Sequence, residues 1–224
     1  MIRLVVFDMA GTTVDEHNVV YKTVQAAIRE RGINVALDEV LAEGAGQEKK
    51  GAIRSVLRAK GVVDASLVND IFARFQTLLD DAYRTQAIVE QPNATAVFHA
   101  LRQREIRVVL NTGYTRPTAE ALVQKIGWQP AVDYDGLVTA SDVAANRPNP
   151  DMIRLAMQQL GIADPRAVVK VGDSRIDIEE GKNAGCRLTI GITTGAQTAE
   201  QLRSAQPDYV INNLPDLLPI IDGV

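Results

Sequence analysis

The sequence predicts an α/β protein with a parallel sheet and a helical segment inserted after the first strand. Three observations carry this expectation. Short β-rich runs alternate with helical stretches beyond about residue 88; residues from about 15 to 87 show helical patterning and no strand signal; and three strand ends run into polar, glycine-bearing turns. Alternation of strand and helix is the mark of crossover connections in a parallel sheet.

The first strand is "IRLVVFD", residues 2–8, a continuous apolar run of the kind buried on both faces of such a sheet. "YKTVQAAIRER" (21–31) follows with apolar residues at helical spacing and stops at Gly32. "LDEVLAEG", "EKKGAIRSVLRAKG" and "LVNDIFARFQTLLDDAYRT" continue as helices. Four further strands are expected at 106–113, 167–173, 187–192 and 208–211, with helices at 93–104, 116–126, 150–160, 175–184 and 198–204. The division is therefore an α/β core of residues 1–14 plus 88–224 and a helical insert of residues 15–87. In doubly wound sheets the carboxyl ends of the strands line the ligand crevice, so the turns Asp8–Thr13, Asn111–Tyr114 and Gly172–Arg175 should converge there. The insert leaves from the first of these turns, where it is placed to act as a lid.

Composition narrows the function. The 224 residues are 46% hydrophobic and 23% charged, ordinary for a globular protein, with room for a core and an inserted unit. A net charge of -4 gives no reason to expect nucleic-acid binding and favours small metabolites as partners. No stretch has the length of a membrane span, and "MIRLVVFDMAG" is too short and wrongly flanked for a signal peptide. Cys186 is the single cysteine, which excludes an internal disulfide and points to a reducing cytoplasm.

Chemistry concentrates at the strand ends. Asp8 closes a buried strand, where a carboxylate is costly unless it is hydrogen-bonded or holds a metal, and "AGTT" after it supplies backbone N–H groups suited to an anion. The plain alternative is a turn aspartate. Asp173 and Asp177 in "VGDSRID" end another strand and can join Asp8 around one hard cation such as Mg2+. A helix cap at Asp173 and a solvated acidic face over "DIEEG" is the competing reading, and it suits Glu179 and Glu180 better than the aspartates. Thr112 and the N–H of Gly113 in "LNTGYTR" form a plausible phosphate clamp, beside Tyr114. Arg147 in "NRPNP" is suited to neutralise a phosphate and a carboxylate together. His17, His99 and Trp128 read as incidental or structural.

The ordered set "DMAGTTVD", "NTGYTR", "NRPNP" and "GDSRID", with a helical insert after the first, resembles the haloacid dehalogenase superfamily with a helical cap over essentially the whole chain. The resemblance implies a Rossmannoid parallel-sheet core and a Mg2+-dependent hydrolase. In it Asp8 is the nucleophile that forms an aspartyl-phosphate, and Asp173 and the backbone carbonyl of Ala10 bind Mg2+. Asp177 supports that site from outside, Thr112 holds phosphate, and Arg147 fills a slot usually held by lysine.

Most phosphatases of that superfamily carry a second aspartate two residues after the nucleophile, because an alkoxide leaving group needs a proton. This chain has Ala10. The phosphonatases, or phosphonoacetaldehyde hydrolases, look most similar: they also have alanine there, "TGYTR", and arginine before the proline. In them a cap lysine forms an imine with the aldehyde, so carbon–phosphorus cleavage sends its electrons into an enamine and needs no such acid. Lys49 in "GAGQEKKGAIR" stands at that Schiff-base position; a solvated helix start or a simple substrate contact are the other readings. The cap departs from the subgroup at Ala45, where it has methionine, and at Ala52, where it has histidine, and Met9 replaces a tryptophan. The resemblance also implies pairing of two copies through their caps. The alternatives carried forward are a phosphomonoesterase acting on a small metabolite such as phosphoglycolate and, from another class, a non-catalytic phosphate-binding module.

Overall fold

The computed structural model describes residues 1–224. Strand β1 (Leu4–Asp8) is followed by a two-residue strand β2 (Val14–Asp15) and four helices, α1 (Val19–Arg29), α2 (Leu37–Gly44), α3 (Lys49–Ala59) and α4 (Ala65–Thr85). The chain continues through β3 (Val89–Glu90), α5 (Ala94–Gln103), β4 (Arg107–Thr112), α6 (Arg116–Ile126), β5 (Gly136–Thr139) and α7 (Asp151–Gln159). It ends with β6 (Val168–Gly172), α8 (Arg175–Ala184), β7 (Leu188–Ile192), α9 (Ala199–Ser204), β8 (Tyr209–Ile211) and α10 (Leu217–Asp222).

Six strands form one parallel sheet in the order β5-β4-β1-β6-β7-β8, so the expected α/β class holds. Every residue of β1 is buried, which is why its sequence reads as an unbroken apolar run. Side chains alternate between the two sheet faces. Val5, Phe7, Val108, Leu110, Val169 and Val171 join the larger core, whereas Leu4, Val6, Val109 and Val168 join a smaller one on the other face. Asp8, Asn111 and Lys170 continue this second series at the strand ends, with Asp8 level with Asn111 and Lys170 level with Val6.

Helices α1–α4 pack on one another. In α4 the buried residues Val68, Ile71, Phe75 and Leu79 recur at helical spacing and face the group's interior. The two chain crossings between sheet and helices are held together, because β2 pairs antiparallel with β3. Asp15 therefore lies in a strand, although the sequence signals none over residues 15–87. Strand β5 and helix α10 also lie outside the expected elements; "GLVT" is a short, half-buried edge strand. Trp128 is buried against Phe98, as expected of a packing residue. No helix is long and apolar enough to cross a membrane.

Candidate active site

The parallel register brings the carboxyl ends of β1, β4 and β6 to one edge, and Asp8, Thr112 and Asp173 with them. Gly11 adopts φ +84, a conformation that favours glycine, and lets the turn after Asp8 close against Asp173. Ala10 lies beyond the strand, bridged to Val14, and offers no acidic side chain.

Asp8, Asp173 and Asp177 are buried and place carboxylate oxygens within 4.8 Å of one another. Arg147 sits among them with its side chain 1% exposed, contacting Asp8 at 2.7 Å, Asp177 at 3.0 Å and Glu180 at 2.9 Å. Its guanidinium also donates to the Asn111 carbonyl oxygen at 3.1 Å and to the Asn111 side chain. Lys170 approaches Asp177 at 3.0 Å, Glu180 at 3.2 Å and Asn111 Oδ1 at 2.6 Å. Burial raises the Asp8 carboxyl above its ordinary range, with Asp177 adding to the shift and Arg147 opposing it. At Asp177 burial is overcome by Arg147 and Lys170, and the net direction is down.

Asp173 differs. It accepts the Ala196 N–H at 2.6 Å but has no cationic partner, and burial beside Asp8 and Asp177 pushes its carboxyl well up. Three hard oxygen donors, one of them without a counter-charge, suit a hard divalent cation such as Mg2+. Asp8 and Asp173 would hold it, with Asp177 behind them.

Thr112 is buried, and its hydroxyl accepts the Tyr114 N–H at 3.2 Å. Gly113 packs against the loop before α3: a Cβ there would lie 2.8 Å from the Gln47 carbonyl oxygen. That loop bends over the site, with the Gly46 carbonyl oxygen 3.4 Å from Arg147 and the Gly46 N–H donating to Tyr21 at 3.0 Å.

The Glu48 side chain caps α3 through the N–H groups of Lys50 and Gly51, so the helix starts at Lys49. Lys49 is buried rather than part of a solvated helix start. Its Nζ donates to the Gln47 carbonyl oxygen at 2.8 Å and lies 5.4 Å and 5.2 Å from the ring centres of Tyr21 and Tyr114. It forms no ion pair. Burial lowers the Lys49 amine below the usual lysine range, opposed by the charge of Asp8 and assisted by Arg147. Lys49 and Tyr114 line a cavity of about 360 Å³ between the helices and the sheet edge, together with Phe72, Phe75, Leu79 and Ser141. Asp8 does not line it.

Two buried residues of the site are not apparent in the sequence. Glu180 reads there as part of a solvated acidic face, yet it is fully buried and binds Arg147, Lys170 and Asn111; Glu179 is the partly exposed one. Lys170 is hidden inside the run "AVVKVGD". Strand parity is the available signal, since Lys170 shares a face with Val168, and a lysine fixed there needs carboxylates in reach. His17 is exposed beside Asp15, and His99 pairs with Asp133 at 2.9 Å away from the site.

Comparison with known proteins agrees with this geometry. A family model described as a haloacid dehalogenase-like hydrolase matches residues 2–185. The chain is 30% identical to a phosphonoacetaldehyde hydrolase of Latilactobacillus sakei, over 98% of this chain and 95% of that one. It is 28% identical to a phosphoglycolate phosphatase of Shigella boydii, over 98% and 92%. Among solved structures, a phosphonoacetaldehyde hydrolase-like protein from Oleispira antarctica superposes with a TM-score of 0.82 at 25% identity, covering 99% of this chain and 92% of that one. With its parallel sheet and buried aspartates at the strand ends, the chain belongs to the haloacid dehalogenase-like hydrolases.

Proposed function

We propose that this hydrolase releases phosphate from a small phosphonate such as phosphonoacetaldehyde, with helices α1–α4 acting as the cap. The observation that carries the reading is Lys49: a buried lysine, depressed by burial and held between two tyrosine rings, beside a nucleophile whose turn lacks an acid at Ala10. A lysine attacks a carbonyl only as the neutral amine, and burial favours that form.

Lys49 adds to the aldehyde and forms an imine. Asp8 attacks phosphorus, the carbon–phosphorus bond breaks, and its electron pair moves into the enamine. Water then hydrolyses phospho-Asp8, and the enamine takes a proton on carbon and is hydrolysed, which releases acetaldehyde and the free Lys49 amine. Arg147, Thr112 and the Gly113 N–H orient the phosphoryl oxygens and hold the charge that develops on them. When bound, Mg2+ supplies positive charge opposite those oxygens and balances Asp173. The resemblance of the Shigella phosphatase over nearly the whole chain favours a second reading, hydrolysis of a small phosphate ester, in which Lys49 only binds substrate.

The test is phosphate release from phosphonoacetaldehyde with Mg2+, run beside borohydride reduction and peptide mass spectrometry. Release together with a reduced adduct on Lys49 is the expected result. Turnover of phosphoglycolate, with no release from the phosphonate and no adduct, would replace the first reading with the second.

A further inference from the structure

The mechanism leaves the buried carboxylate of Glu16 unused. Glu16 follows β2, is 2% exposed, and accepts the Val20 N–H and the Tyr83 hydroxyl on the same oxygen, Oε2, each at 3.0 Å. The Tyr83 hydroxyl lies 3.0 Å from the Tyr114 hydroxyl as well. Tyr83 comes from α4, Glu16 from the first chain crossing, and Tyr114 from the turn after β4, where its ring walls the Lys49 cavity. A helix cap accounts for the bond to Val20 and not for two phenols in series, Tyr83 half-buried and Tyr114 buried.

A tyrosine hydroxyl has one hydrogen, so Tyr83 can donate to only one of its two neighbours at a time. With Glu16 ionised, Tyr83 donates to Glu16 and Tyr114 donates to Tyr83. With Glu16 protonated the chain reverses: Glu16 donates to Tyr83, Tyr83 donates to Tyr114, and the Tyr114 hydrogen is freed from Tyr83 for another acceptor. The charged and titratable groups acting on Glu16 are Asp15 beside it, Lys49 on α3, and the phenols of Tyr83, Tyr114 and Tyr21. Burial pushes the Glu16 carboxyl up to about 7, against the lowering pull of the Val20 N–H, the Tyr83 hydroxyl and Lys49. Burial also holds the Tyr83 and Tyr114 phenols well above their ordinary range, so they carry protons without losing them. The other acidic groups near the cavity are worse placed to supply a proton. Glu48 is engaged in capping α3 and Asp80 is exposed to solvent; His17, next to Glu16 in the chain, is exposed and paired with Asp15, and His99 pairs with Asp133 away from the cavity.

We infer that Glu16, Tyr83 and Tyr114 form a proton relay that delivers a proton to the oxygen leaving when Lys49 condenses with a carbonyl substrate. The step rests on the imine reading above. In the carbinolamine the nitrogen lone pair forms the C=N bond and the C–O bond breaks with its electron pair on oxygen. That oxygen takes the Tyr114 proton, Tyr114 takes that of Tyr83, and Tyr83 takes that of Glu16. The products are a protonated imine, one water and the Glu16 carboxylate. Glu16 does not touch substrate and acts through the two tyrosines.

The relay is tested first without substrate, by labelling the five tyrosines with carbon-13 at Cζ and following them by NMR from pH 5 to 9. The Tyr83 and Tyr114 signals, assigned with Tyr→Phe variants, are expected to move together with one midpoint near neutrality, and Glu16→Gln should flatten both. A Tyr114 signal that ignores pH in the native protein, or titrates unchanged in Glu16→Gln, would overturn the relay. The second arm is kcat against pH for phosphonoacetaldehyde. The native enzyme should lose about tenfold per pH unit above the midpoint, while Glu16→Gln and Tyr83→Phe should each fall at least ~100-fold and lose that limb. Either variant retaining both rate and limb would refute the relay's role. An intact NMR titration in a protein that never turns over the phosphonate would uphold the relay and refute the substrate reading.

Discussion

Replacing Arg147 by alanine tests the electrostatics of the site most directly. Its guanidinium is the only cation paired with Asp8, and it shares Asp177 and Glu180 with Lys170. Removing it leaves three buried carboxylates with one lysine, which reaches only two of them. Losing one partner of a buried ion pair costs about 3–5 kcal/mol, because the other charge remains desolvated. For a chain of this size each kcal/mol shifts the midpoint by about 2–4 °C, so Arg147→Ala should lower Tm by roughly 6–20 °C at pH 8 without added metal. The cost must depend on pH. Asp8 is already raised in the native protein, and without Arg147 it moves further up, so protonation relieves the penalty as pH falls. Thermal unfolding by circular dichroism at pH 8 and pH 5.5 should therefore show the larger loss at pH 8. Arg147→Lys keeps a charge but not the planar fork that reaches Asp8, Glu180 and Asn111 together, and should fall between the two. A variant within about 1 kcal/mol of the native protein at pH 8, or an equal loss at both pH values, would refute the reasoning.

Asp173→Asn should raise stability at pH 8 in the absence of metal. Its raised carboxyl contributes stability that is fully present below the unfolded carboxylate range and is lost as pH rises through the folded value. The same variant should lose the Mg2+-dependent rise in Tm that the native protein is expected to show, about 2.7 kcal/mol at a hundredfold excess over Kd. Lys170→Met should destabilise by about 3 kcal/mol, read by urea unfolding, since Glu180 and Asp177 are buried with it. Gly113→Ala places a methyl against the backbone of Gln47 and Glu48 and should displace the loop that carries Lys49. Its kcat/KM is expected to drop at least ~10-fold with a small change in Tm, because a 1 Å error in placement is costly to catalysis; a native kcat/KM would show that the loop yields freely.

The fold is legible because its signals are local. Apolar runs bounded by turns mark β1, β4, β6, β7 and β8, and helical periodicity marks most of the helices. β5 escapes because a four-residue edge strand has half-buried residues and no long apolar run. The site is legible in part for the same reason: Asp8, Thr112, Arg147 and Asp173 stand in short polar segments at or after strand ends, where composition changes abruptly. Glu180 and Lys170 are not, because each sits in a segment of plain character. One belongs to an acidic helix and the other to a hydrophobic strand, and only the packing of α8 on β6 reveals that Lys170 meets Glu180, which also binds Arg147.

The same distinction explains why Ala10 is easier to question than to replace. A missing side chain is visible in one position, whereas a substitute acid can come from anywhere that the chain folds back to. Glu16 and Tyr83 are 67 residues apart, Tyr83 and Tyr114 are 31 apart, and the three meet only when the helices pack against the strand ends. No spacing rule links them. What identifies them is a physical inconsistency: a carboxylate beside apolar packing, bonded to a phenol that must choose between two acceptors. An acid at residue 10 would serve a leaving group at phosphorus, whereas the relay ends at the ring beside Lys49. Moving proton supply from the turn of the nucleophile to Glu16 and Tyr83 is what the proposed lysine-based cleavage would require, because its acid step occurs at the carbonyl oxygen and not at the phosphorus.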